Sequence, residues 1–589
     1  MRMDDILSKY PDPLRRGGGR KDSFLLGNNA IDRRPIRITE EELKRHWHIL
    51  GTTGKGKTKY IEHLARTLIE RKNGLCLVDP HGDLYEAMVK YVVRNRLEKK
   101  VILIDPNRRD NLFGLNYMER GAHIAKDPDA HVSMIMRAIG KVFGGENQDA
   151  LPRLQHWERN VLYALMDQGF TLVEMLDFLS LTNPEARRHI VEKLNDPYIK
   201  QDWQEFEALR RQEKEIRLES VLNRAVKFVG SERIRRIVGQ AKSTINFRQA
   251  MDEGKIVLVN LSSRHISEEG QKMLGVMIVD MIVEAGFSRG ALPERQRKPF
   301  YFIVDEFGEF VCEDFAKALN QLRKYGVFLM LSNQELEQLK EENRKVYAAV
   351  MSDCENKVVF GISREDAEVM AKELFTGMIR GDQIKNIIEQ TKFWPKETTR
   401  RITSQSDSES SGSGDSFSSA TSDIAMAGQA SIFGPDGPAF FSDAVSQSIS
   451  SSQTTGSSSS SGSSNFSGTA HSSSESEVPW YEYEPFKEIS SQSYYSPEEL
   501  LEKFISWIKN QGRRQAQLKI DVKRPMPIVT PTINEIVVRP IEVERFENNL
   551  ALLYAKPIEQ IDIEISRRRE LLLAPPEKGE EEESVNFRE

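Results

Sequence analysis

Apolar residues along this chain follow two rhythms. From about residue 36 to 110, short apolar runs alternate with stretches in which apolar positions recur at helical spacing. The runs are His48–Leu50, Gly74–Val78 and Val101–Ile104, and each stops at turn-forming residues: Gly-Thr-Thr-Gly, Asp-Pro-His-Gly and Asp-Pro-Asn. Short apolar strands set between helices suit a parallel sheet covered on both faces, because neither face meets water. Between about 115 and 240 no such run occurs, and stretches such as Arg153–Leu165 and Glu213–Val229 repeat apolar residues at helical spacing among many charges. Strand-like runs return at Lys255–Leu261, Phe300–Val304, Val327–Leu331 and Lys357–Phe360. The pattern predicts an α/β core that an all-helical block interrupts and the later strands complete.

Residues 403–478 are dominated by Ser, Gly, Thr and Asn. Such a segment offers too little apolar surface to offset its ordering entropy, which predicts disorder. A helix over Pro497–Gln511 and a strand over Gln517–Val522 follow. The expected organisation is a flexible arm (1–35), a first part of the core (36–114), an all-helical insertion (115–240), a second part of the core (241–402), a disordered insertion (403–478), a return to the core (479–540) and an extension with an acidic tail, Glu580–Glu583 (541–589).

At 589 residues the chain is long enough for more than one core. Its formal net charge of −6 excludes a polycation, so any nucleic-acid contact has to be local. Cys76, Cys312 and Cys354 are too few and too scattered for a disulfide framework or a zinc site, which fits a reducing, cytoplasmic setting. The first residues lack the apolar core of a signal peptide. The longest apolar stretch, Met273–Phe287, is interrupted by Asp280 and Glu284 and falls short of the ~20 residues that cross a bilayer. The expectation is a chain with no transmembrane segment of its own.

Gly51-Thr52-Thr53-Gly54-Lys55-Gly56-Lys57-Thr58 is a full Walker A sequence, set between a strand candidate and the helical pattern Tyr60–Ile69. Its glycines allow backbone N–H groups to close around phosphate, Lys57 can reach β/γ oxygens, and the Thr58 hydroxyl can ligate Mg²⁺. The core is therefore expected to be a RecA-like P-loop fold, a mainly parallel sheet with helices on both faces, that uses ATP and Mg²⁺. Phe300–Val304 followed by Asp305-Glu306 reads as Walker B: a buried strand ending in one carboxylate for Mg²⁺ and one general base.

Gln334, just past Val327–Leu331, can sense the γ-phosphate or simply end a strand. Arg364 follows Lys357–Phe360 and can serve as a finger to a neighbouring subunit's ATP, or pair with Glu365 or Asp366 on the surface. Asp79, His81 and Asp83 are either a catalytic or metal trio or, as the better reading, a support for the P-loop or a subunit interface.

GTTGKGKT, DPHGDL (79–84), SVLNRAVKF (220–228), KIVLVNLSS (255–263), FIVDEF (302–307), FAKALNQLRKYGV (315–327), LSNQELEQL (331–339) and FGISREDAE (360–368) occur in one order that resembles the HerA/FtsK-type motors. Within them the chain is most similar to the TraG/TraD-like coupling proteins of type IV secretion. The resemblance covers roughly residues 30–400 and 490–535. It implies a homo-hexameric ring that moves DNA through its pore at the expense of ATP, a helical block that receives substrate, and Gln517–Val522 as the final core strand. It also implies a relaxase and membrane-bound secretion components as partners. Coupling proteins usually begin with transmembrane helices, which this chain lacks, so recruitment to the inner face of the membrane would need a partner.

Three functions stay open at this level: a DNA-translocating ATPase for conjugation, a DNA motor in repair, segregation or packaging, and a secretion ATPase acting on protein. Arg233-Ile-Arg235-Arg236, Arg323-Lys324-Tyr325 and Arg513-Arg514 are the candidate phosphate contacts. No base-reading motif accompanies them, so DNA binding is expected to be backbone-driven and independent of sequence.

Overall fold

The computed structural model describes residues 23–119, 127–143, 152–310, 315–379, 383–411 and 467–573. Its strands are β1 (Ser23–Asn29), β2 (Pro35–Thr39), β3 (Trp47–Leu50), β4 (Gly74–Asp79), β5 (Val101–Ile104), β6 (Asn111–Leu112), β7 (Ile256–Asn260), β8 (Phe300–Val304), β9 (Val327–Asn333), β10 (Asn356–Val359), β11 (Ile384–Ser411), β12 (Ser467–Tyr494), β13 (Gln515–Ile520), β14 (Met526–Val529) and β15 (Lys556–Pro557). Eleven of them form one sheet in the order β2-β1-β14-β13-β10-β3-β9-β8-β4-β7-β5. From β10 to β5 every neighbouring pair is parallel, and β13, β14, β1 and β2 extend that sheet by antiparallel pairing.

Every residue of β3, β4, β7, β8, β9 and β10 is buried. Strand periodicity divides these side chains between two cores. Phe300, Phe302 and Val304 of β8 enter one, and Tyr301 and Ile303 the other. Helices Lys57–Glu70, Asp83–Arg94 and Pro540–Tyr554 cover the second face through Ile61, Leu64, Met88, Val92 and Leu550. Helix Glu268–Ser288 and the helices between Pro128 and Val238 share the first core. The architecture is α/β, with a large, mostly parallel sheet and helices on both faces.

Between β6 and β7 all regular structure among the described residues is helical. Trp203 anchors that block, in edge contact with Trp157, Phe178 and Phe206 at ring separations of 5.1, 4.8 and 5.3 Å. Helix Ile558–Leu573 is tied to it by a two-toothed pairing of Arg236 with Asp562 (2.8 and 2.7 Å) and by Arg568 with Glu174 (2.7 Å).

Three expectations are corrected. The arm 1–35 is not loose from Ser23 onward: Phe24, Leu26, Ile36 and Ile38 alternate into the core and make β1 and β2 sheet strands. Gln517–Val522 is not the last core strand, because β14 follows and carries β1 and β2 beside it. The second part of the core does not run to 402, nor does the return begin at 479, since β11 and β12 make a separate two-stranded sheet that clusters as its own unit, residues 386–493. Strand reaches Ser411 at one end of the Ser-rich segment 403–478 and resumes at Ser467 at the other. The residues between lie outside the described ones, as do residues 1–22 and the acidic tail.

Candidate nucleotide site

The carboxyl ends of the parallel strands emerge at one edge of the sheet. There β3 delivers Gly51–Thr58, β9 delivers Gln334, β8 delivers Asp305 and Glu306, and β4 delivers Asp79. Strand order decides the site's layout: β9 lies between β3 and β8, so Gln334 emerges between the P-loop and the carboxylates.

The P-loop's glycines are needed for different reasons. Gly54 (φ +79°) and Gly56 (φ +104°) have left-handed backbone, which an L side chain adopts only with strain. A Cβ on Gly54 would meet nothing within 4 Å, so the loop is open on that side. A Cβ on Gly51 would sit 2.6 Å from Phe360 Cβ, so there the limit is crowding. Helix Lys57–Glu70 starts at the end of this loop, its first-turn N–H groups without a side-chain cap, where anions are favoured.

Lys57 is buried. Its ammonium donates to Glu306 Oε1 and lies 3.7 Å from Asp305 Oδ1. Asp305 also accepts from Ser332 Oγ at 2.6 Å. Glu306 has left-handed backbone (φ +47°), which turns its side chain back toward the P-loop from the strand tip. Asp79 accepts from the N–H groups of His81 (2.9 Å) and Tyr85 (2.8 Å), and burial, with the charge of Asp305 adding to it, raises its carboxyl above the usual range. Asp79 thus caps the turn after β4, and His81 and Asp83 supply no side-chain contact to it in this geometry. His48, on β3, bonds Asn333 Oδ1 at 2.7 Å, and burial holds its imidazole down to about 4, so it is neutral beside Lys57.

Thr53 Oγ1 donates to Gln334 Oε1 at 2.8 Å, which joins the P-loop to the tip of β9. Arg364 begins helix Arg364–Phe375, is exposed, and lies 3.2 Å from Glu502. Its surface partner is therefore neither Glu365 nor Asp366. Asp366 instead is buried and accepts from Leu336 N (3.1 Å).

One feature of the site was not legible beforehand. The turn Gln511–Arg514, between helix Pro497–Lys509 and β13, straps the P-loop from outside. Lys55 Nζ donates to Gln511 O (2.8 Å), Arg514 N donates to Lys55 O (2.8 Å), and Thr52 N and Oγ1 donate to Gly361 O (3.1 and 3.0 Å). Arg514 (φ +69°) in turn bonds Thr530 O. The adjacent Arg513-Arg514 pair was the only local signal, and charge alone pointed it toward DNA.

Other candidate phosphate contacts are also engaged within the chain. Arg233 donates to Pro106 O (2.9 Å) and Arg108 O, Arg236 pairs with Asp562, and Arg323 with Glu355 (2.9 Å). Lys324 and Arg513 are exposed.

The donor set suits a nucleotide triphosphate with Mg²⁺: an open loop of left-handed glycines, one buried ammonium, and two carboxylates beside that ammonium. Among the described residues no helix is long and apolar enough to cross a membrane.

Residues 25–282 match the family described as "Helicase HerA, central domain", and residues 299–426 match "TraM recognition site of TraD and TraG". No curated protein matches the chain. Similar solved structures include the bacterial conjugative coupling protein TrwBdeltaN70 in its unbound monoclinic form (14% identity, 89% of this chain and 92% of that chain, TM-score 0.48). Plasmid coupling protein TrwB in complex with ADP and Mg²⁺ is similar over 89% of this chain and 91% of that chain (14% identity, TM-score 0.44). VirB4 of Thermoanaerobacter pseudethanolicus is similar over 61% of this chain and 89% of that chain (13% identity, TM-score 0.40).

Proposed function

We propose that this chain, which belongs to the HerA/FtsK-type P-loop ATPases, is the ATP-driven motor that delivers DNA to a conjugative secretion apparatus. The observation that carries the ATPase reading is the meeting of Lys57 with Asp305 and Glu306, across the intervening strand β9. DNA as the load rests on the two family matches, over residues 25–282 and 299–426.

In this mechanism Lys57 exchanges its carboxylate partner for β/γ-phosphate oxygens when ATP enters the loop. Thr58 and Asp305 would hold Mg²⁺, which would supply charge neutralisation on the transferring phosphoryl group. Released from Lys57, Glu306 accepts a proton from the attacking water, and the products are ADP and phosphate. Gln334, tied to Thr53, reports the state of the γ-phosphate to the P-loop. Arg364 leaves Glu502 to meet the nucleotide of a neighbouring subunit in a homo-hexameric ring, which completes each site only on assembly. Delivery to the membrane then falls to partners, a relaxase on the DNA side and a membrane-bound secretion component on the other.

The test is ATPase rate against DNA length at two salt concentrations, with unrelated sequences in both strand forms. Stimulation is expected to rise with length, to ignore sequence, and to weaken with salt at a log–log slope of roughly −0.7 to −0.9 per phosphate contacted. Indifference of the assembled protein to every DNA would move the load from DNA to protein.

A further inference from the structure

Strands β11 and β12 form a ribbon with only two members, and each is 28 residues long. Among the described residues each therefore has one edge without a strand partner. Two-stranded ribbons are at best marginal in water, and long open edges are templates for further pairing. This ribbon is also unusually apolar for an exposed element: Trp394 is 68% exposed, Tyr483 64% and Phe393 61%.

Its charges are segregated by strand. Between Lys385 and Arg401, β11 carries five basic side chains against Glu389 and Glu397. From Glu477 to Glu488, β12 carries four glutamates against Lys487. Within the ribbon these face each other: Lys396 with Glu484 (2.7 Å), Lys392 with Glu488 (2.5 Å) and Arg401 with Glu477 (3.0 Å). Over these stretches β11 is thus mainly basic and β12 mainly acidic, with Lys487 and Glu389 paired in the reverse sense (3.1 Å).

We propose that this ribbon is an inter-subunit joint, in which the open edge of β11 pairs with the open edge of β12 from a second copy of this chain. Copies arranged around one axis point their ribbons the same way, so β12 of one runs antiparallel to β11 of the next. That repeats the pairing already made inside each ribbon and the same Lys/Arg-to-Glu complementarity. A closed ring leaves no edge over, and it sets the aromatic side chains of successive ribbons beside one another. Pro395, Pro479 and Pro485 lack an N–H and interrupt the new ladder, which confines it to the stretches between and on either side of them. The inference rests on the ring reading above and adds a contact to it that the ATPase core does not need.

The test uses full-length protein and sedimentation across a concentration series. One variant reverses β11 (Lys392→Glu, Lys396→Glu, Arg400→Glu), and another reverses β12 (Glu482→Lys, Glu484→Lys, Glu488→Lys). Each alone has like-charged edges and is expected to need at least about tenfold more protein to assemble, about 1.4 kcal/mol. Their equimolar mixture places an acidic ribbon beside a basic one and should recover most of the loss. A third variant, with 386–493 replaced by a short linker, should lose assembly as the reversals do and gain nothing from mixing. Nucleotide binding reads the fold of the remainder in all three. Wild-type assembly in the reversals or in the linker variant, or no recovery in the mixture, overturns the joint while leaving the ring intact. A wild-type chain that stays monomeric overturns the ring reading and the joint together.

Discussion

Lys57 of the P-loop donates to Glu306, 249 residues away in sequence, in a buried pair that joins the loop after β3 to the tip of β8 across the intervening β9. The same ammonium lies 3.7 Å from Asp305, so one cation holds two carboxylates at a site where burial already raises a third, Asp79. In this arrangement the base is held on its own lysine, for which a polyanion would compete. The two residues should therefore be coupled in stability as well as in catalysis. Lys57→Met leaves the carboxylates uncompensated, and Lys57→Met with Glu306→Gln should be less damaging than the two single effects summed. A coupling of roughly 1–3 kcal/mol is expected in a double-mutant cycle of thermal melting. Additive effects would mean that the pair contributes nothing.

Lys57→Ala should abolish ATP turnover, by at least about 10²-fold, because a preorganised cation is lost where phosphate charge develops. Glu306→Gln should bind nucleotide as wild type and hydrolyse it about 10²–10⁴-fold more slowly, since only the base is removed. Equilibrium nucleotide binding alongside steady-state turnover separates the two. Normal turnover in Glu306→Gln, together with a normal Asp305→Asn, would remove the assignment of the β8 tip.

Gly51→Ala should destabilise the fold by roughly 1–3 kcal/mol, because the new methyl would meet Phe360 Cβ at 2.6 Å within a packed core. Gly54→Ala meets no neighbour and should instead cost about 1–2 kcal/mol of backbone strain and weaken phosphate binding. Melting temperature with and without nucleotide distinguishes these. A larger nucleotide defect in Gly51→Ala than in Gly54→Ala would reverse the two explanations.

Arg364→Ala should leave nucleotide binding intact and depress hydrolysis only in assembled protein. Mixed with Glu306→Gln subunits, it should recover partial activity at sites that combine wild-type Glu306 and wild-type Arg364 from different chains. Glu502→Gln, which removes the resting partner, should not reduce activity. Absence of recovery in oligomers shown to be mixed would argue for a purely surface role.

Glu158, in the helical block, is buried with Oε1 lacking a hydrogen-bond partner, and burial raises its carboxyl to about 7 despite Arg224 at 3.1 Å. Its ordinary value is 4.5, so between these limits the native state holds the proton more tightly than the unfolded chain. Stability contributed by this group is therefore present below pH 4.5 and is lost as pH rises through about 7, on the order of 3 kcal/mol. Glu158→Gln should flatten that fall when melting is compared at pH 5 and pH 8. Parallel slopes in the variant and the wild type would show that Glu158 does not titrate in this window.

The strands of the parallel core were legible because burial on both faces demands uninterrupted apolar runs, and the P-loop because phosphate binding demands glycines at fixed spacing. Phe300–Val304 ends where the structure ends it, and its two carboxylates emerge where such a strand must deliver them. What misled was composition. Serine-rich sequence concealed that β11 ends and β12 begins within it, and the polar surroundings of Phe24, Leu26, Ile36 and Ile38 concealed the edge strand β2 and its neighbour β1. Clustered arginines suggested phosphate contacts, whereas Arg233 and Arg236 are spent on the chain's own carbonyls and on Asp562.

Local rules thus determined the elements, the nucleotide loop and the pair of acids, because each depends on residues a few positions apart. Tertiary structure alone decided that β9 stands between β3 and β8, that Glu306 folds back onto Lys57, and that Gln511–Arg514 straps the P-loop. Those relationships join residues hundreds of positions apart, and no local periodicity carries information about which distant strand will lie alongside. They are settled by which order of strands buries both faces of the sheet and satisfies its edges at once.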